Sequence, residues 1–125
     1  NDAASALPRL VDLGVEPFLV ASSLAAVLAQ RLVRCVHVTC SAEGCPECFM
    51  TGFRGRTGVF ELLVVDSEIR DLVAARAAAP KIRQAARRSG MATLREAGEE
   101  LVRAGKTTAQ ELTRAIEVME EEVWT

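Results

Sequence analysis

The stretch from Cys35 to Gly58 reads CVHVTCSAEGCPECFMTGFRGRTG, and its first fourteen positions hold all four cysteines and the only histidine of a 125-residue chain. Five soft ligand candidates this close together ask for a loop folded around an ion. Cys45-Pro46-Glu47-Cys48 is a C-x2-C knuckle, a turn that aims two thiolates at one ion about 2.3 Å from each sulfur. His37-x2-Cys40 supplies a second pair at the same spacing just upstream, and Cys35 offers a substitute fourth ligand. Gly44 and Gly52 stand before and after the knuckle and permit the tight backbone that such a clip requires.

Other readings compete with a metal. Free cysteines serve as small buried hydrophobes, and Cys35, on a strand, fits that description. A disulfide needs an oxidising compartment for which nothing else argues. A redox C-x-x-C opens a helix beside a βαβ unit, whereas this one lies between two expected strands. Structural zinc is preferred over all three. Catalytic zinc is disfavoured, because four protein ligands close the shell.

The remaining composition excludes several classes. The 15 Lys and Arg nearly balance the 17 Asp and Glu, so no strong field recommends nucleic acid or anionic lipid. With 4% aromatic residues and no Tyr, stacking platforms for single strands are not expected. The longest apolar run, FLVASSLAAVLA from Phe18 to Ala29, is too short to span about 30 Å of hydrocarbon and reads as a buried helix, so direct membrane insertion is not expected. No charged region followed by a cleavable apolar segment opens the chain, which argues for the cytoplasm.

Along the chain, Leu7, Leu10 and Leu13 have helical spacing and Gly14 is a stop. Pro8 belongs in a first turn, which moves the expected cap to Ser5. Pro17 opens a second helix to about Ala29, Gln30 to Val36 reads as a strand, and Thr57 to Val65 as a second. Asp66 caps a helix carrying Ile69, Leu72 and Val73, and Pro80 begins another that ends at Gly90. Thr93 with Glu96, and Thr108 with Glu111, match the capping box. The last helix repeats apolar residues at Leu112, Ile116, Met119 and Val123, a stripe expected to dock on its own domain. The fold class is α+β, mostly helical, with no internal repeat. There is no G-x-x-x-x-G-K-[ST] phosphate loop, no G-x-G-x-x-G after a strand and no second histidine to act as a base, so no catalytic site is complete. Glu99 and Glu100 read as solvated charge.

Three phrases in order, NDAASALPRLVDLGVEPFLVASSLAAVLAQRLVR, GCPECFMTGFRGRTGVFELLVVD and RQAARRSGMATLREAG, resemble the C-terminal part of the type II secretion and type IV pilus assembly ATPases, closest to the secretion branch. The resemblance implies that residues 1–36 are the C-terminal edge of a RecA-like α/β domain. It makes 37–52 a cysteine-rich zinc-binding insertion, and 53–125 a return strand with a closing helical subdomain. In that family ATP and magnesium bind between subunits of a hexameric ring that drives assembly of pilin-like subunits, and Asn1 falls at the end of a histidine-containing box. Walker A and Walker B are then expected upstream, leaving this fragment non-catalytic. Neighbouring subunits and inner-membrane platform proteins are the implied partners, and the location is cytoplasmic, peripheral to the inner membrane. The family's insertion carries two C-x2-C pairs. By its register the first cysteine falls at His37 and the second at Cys40, with Cys45 and Cys48 as the second pair. The intervening loop is cut to SAEG, Ser41 to Gly44, and Cys35 has no counterpart, being either a core residue or a replacement for His37. Pilus retraction relatives lack the insertion. The glycines of GFRGRTG suggest a tight turn placing Arg54 and Arg56 near nucleotide or a subunit interface. The alternative function is an independent structural-zinc interaction module with a helical tail. The helical part is expected to keep its fold without the ion.

Overall fold

The computed structural model describes residues 2–123, with side chains to Ile116. Its elements are α1 (Ala3–Asp12), α2 (Pro17–Ser23), β1 (Ala26–Val36), two single 3-10 turns (Val38–Cys40 and Pro46–Cys48), β2 (Phe53–Val64), α3 (Ser67–Ala74), α4 (Ala79–Arg88), α5 (Leu94–Arg103) and α6 (Ala109–Val123). The mixed α+β class is as expected. The two strands pair as an antiparallel hairpin, with rungs from the His37 N–H to the Gly52 carbonyl and from the Val65 N–H to the Ala25 carbonyl, each 2.9 Å. The chain divides into two compact units, Asn1–Ala29 with Phe60–Thr93 and Gln30–Val59 with Leu94–Thr125.

The first unit packs α1 to α4 on the inward residues of one end of the hairpin. Leu63 and Val65 meet Ala3, Ala4, Leu7, Val20, Ile69, Val73 and Ile82, all nearly inaccessible to solvent. Glu61, buried on β2, accepts the Ala3 N–H at 3.0 Å and so anchors the start of α1. The cap of α1 is Asp2 rather than Ser5. Its carboxylate accepts the Ser5 N–H at 3.1 Å and also holds Arg83 of α4. Pro8 therefore lies inside the helix. The hydrogen bond that proline forfeits is offset by burial of Ala4 and Leu7 and by the charged cap.

Two further differences concern the strands. The helix expected to reach Ala29 stops at Ser23, and β1 takes over from Ala26. Leu24 is already extended, and from there Val27, Ala29, Arg31 and Val33 turn inward while Ala26, Leu28, Gln30 and Leu32 are exposed. An alanine-rich run reads as helix by propensity, but pairing with β2 overrides it. At the other strand, GFRGRTG is not a tight turn: β2 begins at Phe53 and carries Arg54 and Arg56 as exposed strand residues. Between the two rungs β2 has one residue more than β1, which defines a bulge. Gly55, left-handed at φ 77°, supplies the backbone it needs.

Candidate metal centre

The second unit holds Gln30–Val59 together with α5 and α6. Arg34 and Val36 of β1 turn their backbone groups away from β2, and an edge of that kind must be covered or paired. The connection between α5 and α6 covers it. The Val36 N–H donates to the Lys106 carbonyl at 2.8 Å, and the Thr107 hydroxyl donates to the Arg34 carbonyl at 2.8 Å. The Arg34 N–H donates to Glu111 Oε2 at 2.7 Å, and the Arg34 guanidinium reaches Oε1 of the same carboxylate at 2.9 Å. Thr108 caps α6 by accepting the Glu111 N–H, as the sequence pattern predicts, but the Glu111 carboxylate is spent on Arg34 and Arg114. Arg34 also lies 4.3 Å over the Phe53 ring. Burial opposes ionisation of Glu111, yet the Arg114 and Arg34 guanidiniums and the Arg34 N–H bring its pKa down to about 2. Leu112 of the expected stripe packs against α5 so closely that a Cβ at Gly98 would lie 2.2 Å from its methyl. Ile116 is half-buried, while the side chains of Met119 and Val123 lie outside the described residues.

Held by this frame, the cysteine loop folds as a tandem repeat that sequence reading missed. HVTCSAEG (His37–Gly44) and CPECFMTG (Cys45–Gly52) share only a cysteine and a closing glycine, yet both run through the same series of turns. Each opens on a ligand and makes a 3-10 turn. Two left-handed residues follow, Ser41 and Ala42 at φ 52° and 68° in the first copy, Phe49 and Met50 at 56° and 64° in the second. The Ala42 N–H reaches the His37 carbonyl as the Met50 N–H reaches that of Cys45. The Gly44 N–H donates to Cys40 Sγ at 3.4 Å and the Gly52 N–H to Cys48 Sγ at 3.3 Å. The copies also grip each other reciprocally: a Cβ at Gly44 would lie 2.8 Å from the Met50 carbonyl oxygen, and one at Gly52 2.3 Å from that of Ala42. The SAEG loop is thus long enough, because the second copy follows the first directly.

This arrangement brings His37, Cys40, Cys45 and Cys48 together with all ligand atoms within 4.8 Å of one another, a set that could hold a metal ion. A tetrahedral ion with the usual sulfur and nitrogen bond lengths separates its ligands by about 3.8 Å between sulfurs and about 3.6 Å between sulfur and nitrogen. Here Cys48 Sγ lies 3.9 Å from Cys40 Sγ and 3.8 Å from Cys45 Sγ. His37 Nδ1 lies 3.4 Å from both Cys40 and Cys45. The residues fit the group. Burial raises the Cys48 thiol, but the N–H groups of Cys45 and Gly52 on its sulfur more than offset this and bring its pKa down to about 6, which favours the thiolate a metal needs. Cys35 is half-buried on β1 and is not in the four-residue group. The sequence reading also overlooked Glu47, whose carboxylate faces His37 Nε2 at 3.6 Å.

A hairpin whose turn is a tandem His/Cys knuckle that could hold a metal ion, flanked by short helices, defines a small α+β module. The match to known families makes this particular: residues 1–114 fit the model of the type II/IV secretion system proteins, and the chain belongs to that family. It is similar to type II secretion system protein HxcR of Pseudomonas aeruginosa, 52% identical over 122 residues that cover 91% of this chain and 26% of that protein. Type IV pilus assembly ATPase PilB of Thermus thermophilus is 41% identical over 94% of this chain and 16% of its own length. Type II secretion system protein E of Pseudomonas aeruginosa is 37% identical over 91% and 28% respectively. The chain therefore spans between about a sixth and somewhat over a quarter of these relatives. Among the described residues no helix is long and apolar enough to cross a membrane.

Proposed function

We propose that this chain is the non-catalytic C-terminal portion of a hexameric P-loop ATPase that powers type II secretion or type IV pilus assembly. The likeness running through both strands and the ligand loop to relatives named as secretion proteins and pilus assembly ATPases carries the reading. On this reading residues 1–36 close a RecA-like domain, and ATP and magnesium bind to parts of the protein outside this chain. The partners are neighbouring ring subunits and inner-membrane platform proteins, at the cytoplasmic side of the inner membrane. Arg54 and Arg56, exposed on β2, are available to nucleotide or to an adjacent subunit. The ion is zinc, held by His37, Cys40, Cys45 and Cys48. When bound it supplies a closed structural cross-link between the two knuckles. The chain's own groups do the rest: N–H donors from Gly44, Cys45 and Gly52 hold the sulfurs, and the α5–α6 connection holds the strand end that delivers His37.

An independent zinc-bearing interaction module is the second reading, favoured by Val38, Phe49 and Met50, which stand 85%, 87% and 68% exposed beside the knuckles. The coding sequence upstream of Asn1 discriminates. A phosphate loop G-x-x-x-x-G-K-[ST] there is expected, and its absence from the parent protein overturns the ATPase reading. Purified chain should carry one equivalent of zinc and turn over no ATP, whereas turnover that follows the chain through successive purification steps would contradict the non-catalytic assignment.

A further inference from the structure

We propose that Glu47 is a positioning residue for the metal centre: it holds the Nε2–H of His37 and thereby selects Nδ1 as the ligand nitrogen. The proposal rests on the zinc reading above. His37 is 6% exposed, and the charged group beside its second ring nitrogen is the Glu47 carboxylate. Nδ1 faces the sulfurs of Cys40 and Cys45, which leaves Nε2 directed at the Glu47 carboxylate 3.6 Å away. A neutral imidazole that ligates through one nitrogen carries its proton on the other, and a carboxylate there fixes the tautomer, sets the ring plane and strengthens the ligand.

The repeat adds an independent reason. Glu47 occupies the third position of the second copy, and its equivalent in the first copy is Thr39. The opening ligands differ in the same sense, His37 in one copy and Cys45 in the other. A carboxylate suits a ring N–H, while beside a thiolate it would add repulsion between like charges. The two copies therefore depart from equivalence together, at the histidine and at the acid that faces it. Glu47 is placed by the knuckle itself, between two ligand cysteines on the 3-10 turn Pro46–Cys48. No separate element has to be ordered to bring it to the ring.

The test measures zinc affinity of the full chain by competition with a chromophoric chelator, together with the tautomer of His37 by nitrogen-15 NMR of the zinc-loaded protein. Glu47→Ala should weaken zinc binding about tenfold to a hundredfold. Glu47→Gln, which keeps an acceptor, should recover most of the loss, and Glu43→Ala, an exposed acid on the same loop, should change affinity less than twofold. In a His37→Cys background Glu47→Ala should have no weakening effect, which separates an action through the imidazole from general electrostatics. A proton on Nδ1, or unchanged affinity in Glu47→Ala, overturns the proposal and leaves the zinc reading standing. A wild-type chain that binds no zinc overturns both.

Discussion

At the scale of single residues, Gly52 decides whether the loop can close. Gly52 joins the two halves of the loop, since its N–H holds the Cys48 sulfur while its carbonyl accepts the N–H of His37. It is left-handed at φ 81°, and a Cβ would stand 2.3 Å from the Ala42 carbonyl oxygen, a backbone atom that cannot swing aside. Gly105 is also left-handed, at φ 75°, but an added Cβ meets nothing within 4 Å. The comparison separates backbone strain from steric exclusion. Gly105→Ala should cost about 1 kcal/mol from the left-handed conformation alone. Gly52→Ala should cost more than about 3 kcal/mol and weaken zinc binding as well. Urea unfolding and chelator competition on the two variants check this, and equal costs would show that the Ala42 contact does not matter.

At the scale of elements, the N-terminus of α6 acts as a clamp on β1. Glu111 has no exposed side-chain surface and satisfies a strand N–H and two guanidiniums, so truncating it leaves the part-buried Arg34 N–H without this acceptor and removes the ion pairs. Because its pKa is depressed from 4.5 to about 2 in the folded chain, its contribution is present above the unfolded value. That contribution is lost as pH falls from about 4.5 toward 2. Allowing for the half-exposed arginine partners, the stabilisation is on the order of 2 kcal/mol. The unfolding free energy of wild type minus that of Glu111→Gln should therefore be positive at pH 6 and shrink on acidification. Taking the difference removes acid effects common to both, such as loss of metal. A gap independent of pH from 6 to 2.5 would show that the carboxylate charge is not what holds the strand.

At the scale of the whole molecule, membership of the two units matters more than sequence order. The helices after Asp66 divide: α3 and α4 belong with α1 and α2, while α5 and α6 belong with the metal loop. Survival of the helical part without the ion is therefore expected most firmly of α1 to α4. Val36 is bonded to Lys106 and is followed directly by His37, so loosening of the ligands reaches the start of α6 through one strand end. Chelation should remove hydrogen-exchange protection from the amides of Val36, His37 and Leu112, bonded to carbonyls of the second unit, and of Gly52, bonded to the Cys48 sulfur. Amides of Val65 and Ile82, in the first unit, should keep theirs. Loss of protection at all six sites together would mean that the chain unfolds as one cooperative body.

Much was legible in the sequence because it is local. Capping by Asp66, a stop at Gly14 and helix starts at Pro17 and Thr108 each depend on a few neighbouring residues, and each stands where the pattern predicts. The C-x2-C spacing is local in the same way, and its residues gather into a group that could hold a metal ion. What failed had a distant cause. Ala26 to Ala29 favour a helix in isolation and become a strand because β2 offers a partner, and Asp2 rather than Ser5 caps α1 because Arg83, far along the chain, holds its carboxylate. The tandem repeat was hidden because its copies agree in their left-handed positions and turn hydrogen bonds and share only a cysteine and a glycine in sequence. Cys35 and His37 could not be separated by spacing, since alternate strand residues share a face. The turn after Val36 decides between them: it leaves Cys35 on the strand, while His37 begins the knuckle and is drawn in by its bond to Gly52. Sequence thus determined which residue types would meet, because ligand chemistry and capping are local. Only the tertiary structure decided which of them do, because that choice is made by hydrogen bonds between segments far apart in the chain.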